Sequence, residues 1–177
     1  VLGDTAFYQG VRNYLADPNL AYATAVTPQL KAHLETASGV NLTEFFNDWV
    51  YGQGYPTYSA AVQTLGGNQV KVVLSQTTSH SSVSFFEMPV KVKFVGPNNQ
   101  EETVVLNNTQ NNQEFIVDLP FGIPSNVIIN PTQDIISKNN SFTLSDETFK
   151  KNENAIRIIP NPVLNQLKIE KEGDFEL

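Results

Sequence analysis

The stretch from Gly39 to Tyr58, GVNLTEFFNDWVYGQGYPTY, limits the possible folds of this chain because it joins a helical pattern to a β pattern. Large apolar residues recur in it at helical spacing and should share one face of a helix: Leu42, Phe45, Phe46, Trp49 and Val50. Asn41 can cap this helix, and Glu44, three residues later, can complete a capping box. The stretch therefore predicts a helix with a bulky aromatic face.

A sheet is predicted directly after this helix. Gly52, Gly54 and Pro56 should end the helix, since glycine permits positive φ and proline cannot continue a helix. From Thr57 the apolar residues alternate with period two, and the predicted strands cover residues 58–63, 69–76, 83–95, 102–106, 114–119 and 126–130. Pro89 removes one ladder donor, so we expect it at an edge or a bulge. Short strands at this spacing indicate an antiparallel, immunoglobulin-like β-sandwich.

Two further helices are predicted before the aromatic one. The first covers residues 4–15 with Asp4 as its N-cap, and the second begins at Thr27-Pro28 and closes at Gly39. The chain starts inside a helical pattern without Met, so we expect it to be a piece of a longer protein, called the parent below. The predicted fold class is α+β: a short helical segment, then the β-sandwich, then a C-terminal tail.

The order of these features resembles the end of the catalytic domain in zinc metallopeptidases of the aminopeptidase N type, which are gluzincins. The residues that carry this resemblance lie in the aromatic helix and its turn: Phe45, Phe46, Trp49, Gly54, Tyr55 and Pro56. The segment before them and the FEMPV sequence at residues 86–90 are also similar to that family, so the resemblance spans roughly residues 1–130. It implies a parent that uses zinc to remove N-terminal residues from peptides.

The zinc motif of that family is absent from this chain. His-Glu-x-x-His places two imidazoles on one helix face, whereas His33 and His80 lie far apart, and we expect structural roles for both. By residue type alone, Ser79, His80 and Asp134 could form a catalytic triad, but no serine lies in a nucleophile elbow. We therefore predict no catalytic residue and no cofactor in this fragment. The resemblance implies that zinc, the peptide substrate and the N-terminal catalytic domain belong to the parent.

Composition excludes several other partners. The net charge is −7 and the pI is about 4.7, and such an acidic surface repels nucleic-acid phosphates. No apolar run is long enough to span a bilayer. Cysteine is absent, which excludes disulfides and cysteine zinc sites.

The C-terminal residues differ in composition from the rest. Residues 138–154 are polar and predict a linker, and residues 155–177 begin with a turn at Pro160, Asn161 and Pro162 and a short alternating strand. This turn and strand resemble the opening of the C-terminal sorting domain of type IX secretion cargo in Bacteroidetes. The resemblance implies the secretion machinery as a partner and a secreted or cell-surface location. A proline turn in any β protein is the alternative.

These patterns divide the chain into four parts. Residues 1–56 are predicted to be the helical end of a catalytic domain, 57–137 the β-sandwich, 138–154 the linker and 155–177 the start of the sorting domain. The predicted function is that of a non-catalytic C-terminal piece of a secreted peptidase, and the alternative is a binding or adhesion module of a secreted protein. If a catalytic domain is missing, the helical segment should expose apolar groups, and the candidates are Phe7, Tyr14, Tyr22 and Tyr51.

Overall fold

Helices come first in the chain and strands follow. The computed structural model describes residues 1–146, 156–160 and 167–171. The helical segment contains α1 (Asp4–Ala16), α2 (Thr27–Ser38), α3 (Thr43–Phe46) and a π-helical turn (Asn47–Tyr51) that continues α3. In the described part of the chain, no helix has the length and apolar character needed to cross a bilayer.

The first two helices approach each other closely at Gly10. A Cβ at this position would lie 2.9 Å from Leu34 Cδ2 and 3.0 Å from Leu34 Cα, so only glycine fits without movement. α2 ends where Gly39 adopts a left-handed conformation (φ 70°), as the sequence predicts. Asp4 is the first helical residue of α1, and Gly3 is the N-cap instead. The N-cap prediction for Asp4 is therefore wrong by one residue.

The strands between residues 56 and 146 form two facing sheets. These strands are β1 (Pro56–Gly66), β2 (Gln69–Thr78), β3 (Met88–Val95), β4 (Glu101–Asn108), β5 (Gln113–Asp118), β6 (Asn126–Ile129) and β7 (Ser141–Asp146). The first sheet has the order β5-β2-β1-β7 and the second the order β4-β3-β6. The pairings β2–β5 and β3–β6 join strands that are not consecutive, as in Greek-key sandwiches. The α+β class with a β-sandwich is confirmed.

The core lies between the two sheets and follows from strand alternation. In β2 and β3 every second residue is buried, which is the pattern of strands with one face against a core. The largest fully buried side chains of this core belong to Tyr58, Phe94, Leu74 and Leu119. Leu34, Leu42 and Phe46 form a second, smaller cluster among the helices.

Two strand predictions need correction. Residues 83–87 are not part of β3, which begins at Met88, because the backbone of Phe86 bonds to the side chain of Gln76 instead of to a strand. β3 is the central strand of its sheet, yet Pro89 pairs only with Asn107 of β4, since the register with β6 begins at Val92. Pro89 therefore occupies a locally one-sided position, where its missing N–H removes no bond to β6.

The linker prediction is wrong for residues 141–146. They form β7, which pairs in parallel with β1 from Ser59↔Ser141 to Thr64↔Asp146. The alternation of Phe142 and Leu144 was the available signal, and the many polar residues around them hid it. β8 (Ile156–Pro160) and β9 (Leu167–Lys171) pair with each other in a separate two-stranded sheet. Asn161 and Pro162 of the predicted sorting turn lie outside the described residues.

Candidate functional site

The predicted aromatic helix divides its side chains between two cores. Phe46 is buried and Phe45 half-buried in the helical cluster, together with Leu42. Trp49 instead packs on the sandwich core, with its ring 4.7 Å from that of Phe86. Val50 is exposed. The expectation of one continuous five-residue face is therefore wrong.

The π turn explains this division. Gly52 N donates to Asn47 O over 2.8 Å, a bond that spans five residues instead of four. The extra residue in the turn changes the direction of Trp49 relative to Phe46, because side chains are no longer spaced at 3.6 residues per turn. A helical wheel assumes 3.6 residues per turn throughout, so it cannot predict this change in the direction of Trp49.

The start of α3 is held by α2. Leu42 is the N-cap of α3, so the N-cap prediction for Asn41 is wrong by one residue, although Asn41 Oδ1 accepts from Thr43 N at 2.8 Å. The predicted capping box is wrong, because the carboxylate that reaches the helix start belongs to Glu35, whose Oε1 accepts from Leu42 N at 2.8 Å. This bond fixes the angle between α2 and α3.

The glycines of the turn allow close approach of the helical segment to the sandwich. A Cβ on Gly52 would lie 2.3 Å from Val83 Cγ2 and 2.6 Å from Asp48 O. Gly54 has φ 101°, and its position lies against Ser79 and His80. Pro56 is buried at the start of β1, where it pairs with Thr78, and Tyr55 is half-buried before it. The Gly-Tyr-Pro residues thus form the joint between helix and sheet.

A loop after β2 fastens this joint. Ser79 Oγ accepts from Tyr55 N at 2.8 Å, and Ser82 Oγ accepts from Gln53 N at 2.9 Å. His80 is exposed and contacts Ser82 through Nδ1 at 2.9 Å. Asp134 forms an ion pair with Lys91 instead, so Ser79, His80 and Asp134 do not form a catalytic triad.

Gln76 and Asn108 form a buried polar network that was not predicted from the sequence. Gln76 Oε1 accepts from Phe86 N at 2.8 Å, and Gln76 Nε2 donates to Phe86 O at 3.0 Å and to Asn108 Oδ1 at 3.1 Å. Asn111 then exchanges hydrogen bonds with the Gln76 backbone. The signal was a polar residue at an inward position of β2. The network holds Phe86 in place under Trp49.

The pKa values of two carboxylates, Asp48 and Asp134, are shifted in opposite directions. Burial raises the pKa of Asp48, and the hydrogen bond that Asp48 Oδ2 accepts from Glu87 N at 3.1 Å opposes this. Hydrogen bonds from Lys91 and Thr132 lower the pKa of Asp134. His33 is half-buried, 3.2 Å from Asp17 Oδ2, and its ring meets Tyr14 edge to face. His33 therefore links α1 to α2.

An apolar groove lies between the helical segment and the outer side of the β4-β3-β6 sheet. Its volume is about 640 Å³, and Phe7, Leu42, Phe45, Met88, Val105 and Ile135 contribute apolar walls. The Lys91–Asp134 ion pair, 2.6 Å long, also lines it. Among the described residues no group of three or more His, Asp or Glu side chains could hold a metal ion. The groove can therefore bury apolar groups.

Of the four predicted outward groups, Phe7 (44% exposed), Tyr51 (57%) and Tyr22 are exposed, and Tyr14 is half-buried against His33. Phe7 also borders the groove, and Tyr51 lies 6.5 Å from Phe46 by ring centroids. The helical segment thus presents aromatic surface on its outward side.

Comparisons with known proteins agree with an aminopeptidase relationship. No family model matches the chain. The chain is 28% identical over 124 residues to a puromycin-sensitive aminopeptidase of Caenorhabditis elegans, a match that covers 66% of this chain and 13% of the relative. Among solved structures, a Legionella pneumophila aminopeptidase A in complex with aspartic acid has a TM-score of 0.58 at 12% identity.

The structural match covers 81% of this chain and 16% of the Legionella protein. Residues 57–177 alone cannot supply that coverage, so the shared fold includes residues of the helical segment. The chain spans about an eighth of the curated relative it matches. Over about two thirds of its length, this chain is therefore similar in sequence to a small part of an aminopeptidase.

Proposed function

We propose that this chain is the non-catalytic C-terminal part of a secreted zinc metallopeptidase that resembles aminopeptidase N. Its parent hydrolyses N-terminal residues from peptides at a zinc site upstream of Val1. The observation that carries the proposal is the sequence similarity to an aminopeptidase, together with a shared fold that extends across the helix-to-sandwich joint. This region supplies structure to the parent and no reacting group.

The proposed role of the helical segment is to contact the rest of the catalytic domain. Its outward aromatic residues, Phe7, Tyr22 and Tyr51, and the apolar groove beside Phe45 offer a surface that a peptidase domain could cover. Trp49 and the Gly54-Tyr55-Pro56 turn then hold the helices in a fixed position relative to the sandwich.

The decisive test is the amino-acid sequence immediately upstream of Val1. The proposal requires His-Glu-x-x-His there, followed by a glutamate ligand on a later helix. A parent without this motif would overturn the peptidase assignment and leave the binding or adhesion module as the remaining candidate.

A second test uses purified protein. This chain should contain no stoichiometric zinc by elemental analysis and should not hydrolyse an aminoacyl substrate. The full parent, in contrast, should contain zinc and should hydrolyse the substrate. The matched comparison is the parent with its motif glutamate replaced by glutamine, which should keep zinc and lose hydrolysis. One tightly held zinc per copy of this chain would contradict the proposal.

Secretion by the type IX route is the remaining part of the proposal. It rests on the resemblance of residues 155–177, with Pro160, Asn161 and Pro162, to the opening of a sorting domain. The parent should accumulate inside cells that lack the type IX machinery and appear outside wild-type cells. Equal amounts outside both strains would contradict this route.

A further inference from the structure

The two sheets of the sandwich differ in width on one side. The first sheet has four strands and ends at β7, whereas the second has three and ends at β6. β7 shares its face with β1, because Phe142 is in register with buried Ala60 and Leu144 with buried Val62. Phe142 and Leu144 therefore point to the core side of the sheet.

These two inward side chains are incompletely covered. Phe142 is 37% exposed and Leu144 is 42% exposed, although their partners on β1 are buried. Ile123, which is 50% exposed, lines a cavity of about 160 Å³ together with Leu144. This cavity reaches Val62 and Val70 of the core. We call Ile123, Phe142, Leu144 and the outer edge of β6 the open flank.

The outer edge of β6 has the geometry for one more strand. In the described part of the chain β6 pairs with β3 alone. Asn130 N donates to Lys91 O at 2.8 Å, and antiparallel alternation then directs the N–H of Ile129 away from β3, to the outer edge. β6 already approaches β7 across the sandwich, and a strand added at its outer edge would extend the second sheet past β6 and cover the exposed Phe142 and Leu144. Such an edge is a template for strand addition.

The β8–β9 hairpin of the same chain fits this position. Its register pairs Ile158 with Ile169 and Pro160 with Leu167, so apolar residue types are paired in two of its five positions. A two-stranded hairpin is marginal on its own and needs an apolar surface to pack on. β8 has five residues and β6 has four, so their lengths differ by only one residue.

Chain connectivity favours this occupant over a second copy of the protein. Nine residues (147–155) separate β7 from β8 and can span up to about 30 Å. A tether of this kind gives the hairpin an effective concentration of roughly millimolar at the flank, above usual protein concentrations. We propose that the β8–β9 hairpin docks on the open flank as the missing part of the second sheet. The proposal is independent of the parent's activity.

The test is residue-resolved amide exchange by NMR on the full 177-residue chain. Docking should slow the exchange of the Ile129 amide in the wild type about tenfold relative to Ile158→Asp and to Leu144→Asp. Thr143→Asp is the matched control, because Thr143 neighbours Leu144 but points to the outer side, beside exposed Ala61. This control should leave the exchange unchanged.

Each other outcome rejects the proposal. Equal Ile129 exchange in the wild type and Ile158→Asp would mean that the hairpin does not cover the flank. A dimer in sedimentation that Leu144→Asp dissociates and Ile158→Asp does not would identify a second copy as the occupant. If Leu144→Asp fails to fold, the comparison of the wild type with Ile158→Asp, which alters only the hairpin, decides.

Discussion

Replacement of Trp49 by Ala should destabilise the chain strongly, because this side chain joins the helical segment to the sandwich core. Its ring packs 4.7 Å from that of Phe86 and touches the core cluster, yet the residue is only half-buried. Truncation of a large buried aromatic costs about 3–5 kcal/mol, and partial exposure places Trp49 near the lower value, about 3 kcal/mol. For a domain of this size that loss corresponds to a decrease in Tm of roughly 6–12 °C.

Two matched variants make this measurement specific. Trp49→Phe keeps an aromatic ring over Phe86 and removes Nε1, which is buried without a hydrogen-bond partner in the described part of the chain. It should therefore cost much less than Trp49→Ala, about 1 kcal/mol. Phe7→Ala removes a side chain that is 44% exposed and should cost less than about 1 kcal/mol.

The assay is urea unfolding followed by circular dichroism, since Trp49 is the sole tryptophan and its fluorescence would be lost with the substitution. Equal destabilisation by Phe7→Ala and Trp49→Ala would refute the reasoning. It would show that α1 belongs to the core, so that Phe7 needs no catalytic domain to cover it.

Three further outcomes are expected. Gly52→Ala should lower stability by about 1–3 kcal/mol in urea unfolding because its Cβ has no space, and an unchanged midpoint would mean that the turn relaxes at no cost. Burial raises the pKa of Asp48, so its ionised form disfavours folding at pH above that raised pKa. Asp48→Asn keeps an acceptor for Glu87 N and should raise Tm at pH 7. This gain in Tm should diminish as the pH falls through the raised pKa of Asp48. It should vanish below pH 3.8, because Asp48 is then protonated in both the folded and the unfolded state. Pairing with β1 should protect β7 from chymotrypsin, and early cleavage of the native chain at Phe142 or Leu144 would contradict the strand.

The sandwich could be predicted because its signals are local and regular. Inward residues alternate in β2 and β3, and glycine marks the turn between β1 and β2. The alternation and the turn residues therefore predict the same strands. The sequence failed where a tertiary contact overrides local pattern. Phe86 lies within residues 83–95, which were predicted as one strand, but Gln76 binds its backbone and removes it from the ladder.

The joint was predicted in outline and not in geometry. Its residues, Trp49 and Gly54-Tyr55-Pro56, were identified from the sequence, and the structure places them at the passage from helix to sheet. The π turn could not be predicted, because its energy depends on the two cores that Phe46 and Trp49 enter. β7 was missed for a related reason. Its pairing with β1 is parallel and distant in sequence, and such contacts leave little local pattern.

The π turn also determines how this region tolerates changes of length. Such a turn holds one residue more than the α turn in its place, as the Gly52 N to Asn47 O bond shows. Loss of one residue between positions 47 and 51 would allow regular α-helical bonding, yet it would rotate Trp49 away from Phe86 while Phe46 stayed against α2. The number of residues in this segment is therefore under tighter physical constraint than the identity of exposed members such as Asn47. An insertion or deletion here uncouples the two cores even when every apolar residue is retained.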